Sequence, residues 1–257
     1  MSTSSTLSQE IRPDHAYEQK PVLLPDSVQP SEKLQMTCLI LCGGKSKRMG
    51  RPKEFLPLAG TTMLEHILDR ALNLFADVLL VTNKPEDYEH LSADIVKDIV
   101  PDRGPLAGIL SGLLVAQYQD AFVLPCDMPL FTENQIRELA AQYWEASRGA
   151  AYAIESFSLD RNIGARGIEQ SVMLSGTDDP VRAVIHSNVG NESYLPGVFS
   201  GSLIPAMEEM IFSQKYSLSE FLATITHRKA SSAAGGSRLP AYFNVDTPMD
   251  YIRLVHS

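Results

Sequence analysis

From Thr37 the chain reads T-C-L-I-L-C and then meets two glycines, Gly43 and Gly44, and five cations, Lys45, Lys47, Arg48, Arg51 and Lys53, within nine residues. An unbroken apolar run bounded by glycine fits a central strand covered on both faces. The glycines let the backbone turn and approach a bound group closely. Cations gathered directly after such a strand supply the compensating charge for a polyanion, and a nucleoside triphosphate is the natural candidate.

The chain as a whole carries a formal charge of -9, so most of its surface should repel nucleic acid and anionic membrane. Five of its 22 Lys and Arg side chains sit in this one loop, which works against the global field. With 257 residues, 44% hydrophobic and 21% charged, the composition suits a globular protein with one sizeable core. Cys38, Cys42 and Cys126 suggest neither a disulfide framework nor zinc-ligand spacing, and a reducing cytoplasmic setting is expected. No basic region followed by an apolar run opens the chain, and no segment approaches the roughly 20 apolar residues that span a bilayer.

Residues 1–35 are rich in Ser, Gln, Pro and charge and read as a flexible tail; residues 36–257 read as a single domain. Thr62 to Phe75 has helical spacing, Asp77 to Val81 is a buried strand, and Ile95 to Lys97 is a weaker one. Leu106 to Tyr118 reads as a helix entered through Gly-Pro, Ala121 to Leu124 as a strong strand ending at P-C-D-M-P, and Thr132 as the cap of the next helix. Strand and helix alternating in this way predict an α/β fold with a mostly parallel central sheet and helices on both faces. Beyond Ala151 the pattern predicts a strand in S-Y-L-P-G-V-F-S, short helices at Leu203 to Phe212 and Leu218 to Ile225, a loop at S-S-A-A-G-G-S, and a closing helix at P-M-D-Y-I-R-L-V.

In such sheets ligands bind at the carboxyl ends of the strands. The basic loop and the Asp127 segment both occupy that position. The loop is not a P-loop, because the first required glycine would fall at Leu39, inside the strand. Its glycines also miss the G-x-G-x-x-G spacing of a dinucleotide site. Asp127 suits Mg²⁺, which is held by one or two carboxylates with phosphates and water; a turn residue capping the next helix is the plainer alternative. Gly104, Gly108 and Gly112 repeat along one helix face and allow close packing. Asp246 and Thr247 are equal candidates to cap the last helix. The histidines show no ligand spacing, and no serine lies in a G-x-S-x-G elbow.

Taken together, L-C-G-G-K-S-K-R-M-G-R-P-K (Leu41 to Lys53), G-P-L-A-G (Gly104 to Gly108), P-C-D-M-P and N-V-D-T-P resemble, in order, the motifs of the molybdenum cofactor guanylyltransferase (MobA-like nucleotidyltransferase) family. The resemblance implies a three-layer Rossmann-like nucleotidyltransferase fold and transfer of GMP from GTP to the terminal phosphate of molybdopterin. It implies that the backbone of Leu41, Cys42, Gly43 and Gly44 holds the nucleotide. Arg48 and Lys53 would grip its phosphates, Asp127 would bind Mg²⁺ as cofactor, and Asp98 and Asn83 would contact the nucleotide. Asn244 and Asp246 would line the acceptor side. Molybdoenzymes or other cofactor-synthesis proteins would be transient partners, with no nucleic acid or membrane involved. Two positions depart from the pattern: Cys42 stands for the usual alanine and Pro52 for the usual acidic residue. The R-P-K form also resembles molybdopterin cytidylyltransferases, and sugar-1-phosphate nucleotidyltransferases share the loop. A nucleotide-binding protein without turnover is the alternative from another class.

Overall fold

The computed structural model describes residues 32–43, 52–148, 181–186, 194–230 and 239–257. Gly44, Lys45, Lys47, Arg48 and Arg51 lie outside the described residues, as do most of 151–191 and the S-S-A-A-G-G-S segment. Strand β1 (Leu34–Leu41) is followed by the short pair β2 (Pro57–Leu58) and β3 (Thr61–Thr62), helix α1 (Met63–Leu74), β4 (Phe75–Thr82) and β5 (Asp94–Lys97). Then come α2 (Pro105–Val115), β6 (Asp120–Pro125) and α3 (Glu133–Arg148). The distal part holds β7 (Ala183–His186), β8 (Gly197–Ser200), α4 (Ile204–Phe212), α5 (Leu218–Leu222), β9 (His227–Ala230) and α6 (Pro248–Val255).

Among the described residues the main sheet has seven strands in the order β5-β4-β1-β6-β8-β7-β9. β1 runs parallel to both neighbours, β4 and β6, while β8 is antiparallel to β6 and to β7. Alternation along each strand sorts its side chains into two cores. Cys38, Ile40, Leu80, Phe122 and Leu124 face α1 and α3; Leu39, Leu79, Val81, Ala121 and Val123 face α2, α4 and α5. The fold is therefore α/β, three layers with a mostly parallel sheet, as the alternation predicts.

Several boundaries differ from the sequence reading, each for a local reason. β1 begins at Leu34, inside the stretch read as a tail, because Leu34 and Met36 are buried and Leu34 pairs with Phe75. α1 stops at Leu74 because Phe75 turns extended and opens β4. α2 ends at Val115, short of Tyr118. There Asp77 accepts from the Gln117 N–H, and the Thr37 hydroxyl accepts from the Tyr118 N–H, tying the chain to the start of the sheet. α5 closes at Leu222 rather than Ile225. Gly112 serves packing: a Cβ there would come 2.6 Å from the buried Leu39 side chain, which would have to shift for α2 to lie this close to β1.

Candidate active site

The carboxyl ends of β1, β4 and β6 open into one cavity of about 480 Å³. Gly43, Asn83, Asp98, Asp127 and Asp246 line it together with Lys53. Lys53 sits in a short helical turn that is pinned from below. Its neighbour Glu54 is buried and accepts a 2.7 Å hydrogen bond from the Tyr88 hydroxyl, while Phe55 packs on the Tyr88 ring. Nothing in the sequence reading singled out Glu54 or Tyr88, whose separation in the chain hides the contact.

Lys53 reaches across the cavity to two carboxylates. Its Nζ lies 2.5 Å from Asp127 Oδ2 and 2.8 Å from Asp246 Oδ1, with the Lys53 and Asp127 side chains only 15% and 16% exposed. Burial works against the ammonium charge, yet Asp127 and Asp246 outweigh it and hold the Lys53 pKa above its ordinary value. Burial pushes the Asp127 carboxyl up; Lys53 opposes the rise and Asp246 adds to it. The site thus holds two carboxylates near one cation, an arrangement that takes up further positive charge readily. Asp127 Oδ1 is buried and has no hydrogen-bond partner among the described residues.

Two further contacts set the Asp127 loop. The Val245 N–H donates to the Asp127 carbonyl at 3.0 Å, which brings the N-V-D-T-P segment alongside. Arg70 on α1 donates through one terminal nitrogen to the carbonyls of Pro129, at 3.1 Å, and Phe131, and through the other to His66 Nε2 at 2.9 Å. Nothing in the sequence reading singled out Arg70, and His66 entered it only as a histidine without ligand spacing.

Thr247, not Asp246, caps α6: its hydroxyl accepts from the Asp250 N–H at 3.2 Å, and the Asp250 carboxylate accepts from the Thr247 N–H at 2.8 Å. Asp246 is left to face Lys53. The segment expected on the acceptor side therefore meets the Asp127 side of the cavity directly. Asn244 Nδ2 donates to Asp246 Oδ2 at 3.1 Å. Asp98 is half committed to its own loop: its Oδ1 accepts from the Val100 N–H at 3.0 Å and from Ser111 Oγ at 3.2 Å. Burial raises the Asp98 pKa and these hydrogen bonds oppose the rise. Asn83 Oδ1 and Asn244 Oδ1 are buried without a partner among the described residues. Leu41 and Cys42 line the floor. Of the expected residues, Gly44 and Arg48 fall outside the described residues, as do Lys45, Lys47 and Arg51 of the basic loop.

The family model of the MobA-like NTP transferase domain matches residues 38–230. The chain belongs to this family. Among MobA-like relatives, the probable molybdenum cofactor guanylyltransferase of Peptoclostridium acidaminophilum is 34% identical over 108 residues, 42% of this chain and 49% of the relative. The molybdenum cofactor guanylyltransferase of Syntrophotalea carbinolica is 39% identical over 101 residues, 39% of this chain and 48% of the relative. The chain thus matches about half the length of these curated relatives. A solved MobA-like structure, molybdopterin-guanine dinucleotide biosynthesis protein A from Archaeoglobus fulgidus, superposes with a TM-score of 0.62 at 18% identity, covering 86% of this chain and 97% of that one. At that identity the likeness shows a shared fold.

Proposed function

We propose that this chain transfers GMP from GTP to the terminal phosphate of molybdopterin and releases pyrophosphate, with Mg²⁺ as cofactor. The observation that carries the reading is the contact of Lys53 with Asp127 and Asp246, groups from three separate motifs, in a cavity bordered by Gly43. The names of the relatives supply the substrates.

The residues present fit the metal. Asp127 keeps a buried carboxylate oxygen without a partner among the described residues, and Asp127 and Asp246 already flank a positive charge. Hard oxygen donors of this number suit Mg²⁺, whose shell is completed by phosphates and water. When bound, the ion would polarise phosphate oxygens as a Lewis acid.

The chain's own groups do the rest by placement. The backbone of Leu41 to Gly43, which lines the cavity, holds the nucleotide, and the motif adds Gly44 to it. Lys53 and Arg48 bind the phosphates, Lys53 exchanging its carboxylate partners for the triphosphate. Asn83 presents an accepting oxygen to the nucleoside, and Asp98 contacts it from the β5 side. The N-terminus of α2, entered through Gly104, directs its free N–H groups at negative charge. Asn244 and Asp246 hold the side from which the acceptor phosphate attacks the α-phosphorus. Nucleotidyl transfer of this kind needs in-line placement and charge stabilisation, with no covalent enzyme intermediate.

The test is a panel of GTP, CTP, ATP and UTP, each with Mg²⁺ and molybdopterin, read as pyrophosphate release. GTP should be preferred, and chelation of the metal should stop release. Preference for CTP would reassign the reaction to cytidylyl transfer. Binding of Mg-GTP without pyrophosphate would mark a nucleotide-binding protein instead.

A further inference from the structure

Cys42 and Cys126 are distant in the chain and adjacent in the fold. Cys42 directly follows β1 and Cys126 directly follows β6, parallel neighbours in which Leu41 is registered against Pro125. The Cys126 N–H donates to the Leu41 carbonyl at 3.2 Å, so the pairing continues past the last registered pair. Cys42 belongs with Cys38 and Ile40 on one face of β1, and Cys126 with Phe122 and Leu124 on the same face of β6. Residues in register on adjacent strands stand about 4.8 Å apart at the backbone, inside the Cα separations that a disulfide bridges without moving the chain. Burial pushes the Cys42 thiol well above its ordinary pKa, and the neighbouring Cys126 adds to the rise. The two cysteines are only 5% and 4% exposed, and both border the cavity beside Lys53 and Asp127. Cys38 is wholly buried and does not border it.

We propose that Cys42 and Cys126 form a modification site, a dithiol that a low-molecular-weight disulfide entering through the cavity converts to an intramolecular disulfide joining the glycine loop to the aspartate loop. One thiol sulfur attacks the small disulfide, forms a mixed disulfide and releases one small thiol. The second cysteine sulfur then attacks the first and releases the other. The protein gives up two electrons and two protons, and the small disulfide is reduced to two thiols. The bond contracts the sulfur separation to about 2.05 Å. It ties the residue before Gly43 to the residue before Asp127, fixing the spacing of two loops that border the cavity where a triphosphate would bind. The effect on nucleotide binding rests on the proposed function, whereas the bond itself does not.

The experiment treats the full, reduced chain with oxidised glutathione, alkylates remaining thiols and maps peptides, with Mg-GTP affinity measured before and after. A Cys42–Cys126 linked peptide is expected, with Cys38 still alkylated. Affinity should fall about tenfold or more and return on reduction, and saturating GTP should slow formation of the link. In Cys126→Ala, whatever its starting affinity, oxidant should leave that affinity unchanged. Absence of the linked peptide overturns the proposal, and so does a linked protein that binds Mg-GTP as tightly as the reduced one. Should the reduced chain fail to bind Mg-GTP at all, the nucleotide reading falls, and the peptide map alone decides the dithiol.

Discussion

Helices α1 and α6 begin differently from α2, and the difference marks where a ligand belongs. At α1 the Thr62 hydroxyl accepts from the Glu65 N–H at 3.2 Å, while the Glu65 carboxylate accepts from the Thr62 N–H at 2.7 Å. Thr247 and Asp250 seal α6 in the same reciprocal way. α2 opens instead with Gly104, at φ +88°, with no side-chain cap and no acidic residue in its first turn. The sealed ends have satisfied their own N–H groups, whereas the open end, with Gly104 and Pro105, borders the cavity. An N-terminus left positive and uncapped suits an anion.

The largest expected effect tests whether that end works with the opposing carboxylates. Asp127→Ala should cut turnover by about a thousandfold while leaving measurable nucleotide affinity, read by steady-state pyrophosphate release and equilibrium binding. Lys53→Ala should lower both turnover and affinity, each by about a hundredfold or less; unchanged values for either variant would count against the assignment. Pro105→Glu places a negative charge at the open end and should weaken Mg-GTP binding about fivefold. Thr62→Ala, at a sealed end, should instead lower stability by about 1 kcal/mol with affinity unaltered. If the two variants behaved alike, the contrast between the helix ends would dissolve.

The smallest effect concerns pH. Burial and the Arg70 guanidinium hold His66 below its ordinary 6.5, with Asp69 pulling the other way. The unfolded chain therefore takes up this proton first as pH falls. The contribution of His66 to stability is complete above about 6.5 and is lost as pH drops from there through the folded value. Denaturant midpoints across that window should flatten in His66→Gln.

The half of the sheet that carries the cavity was legible in the sequence because β1, β4 and β6 are buried on both faces and read as continuous apolar runs. β9, H-R-K-A, receives no element in the sequence reading: it lies at the end of the sheet order, and its first three side chains are partly or fully exposed. β7 is only four residues long, too short for a period to show. Lys53 and Asp127 could be paired by motif, yet the role of Asp246 could not, because the choice of Thr247 as cap is made by hydroxyl geometry that two adjacent candidates leave open. The Cys42–Cys126 contact was invisible for a different reason. Spacing along the chain says nothing of strand order, and only the placement of β6 beside β1 brings the sulfurs together.

Arg70 holds the Asp127 loop by the carbonyls of Pro129 and Phe131, not by their side chains. Its grip is thus indifferent to which residues stand there, provided the main chain keeps its path. Replacements at position 129 or 130 can drift without unmooring the carboxylate, whereas one change on the neighbouring helix could set the whole segment adrift.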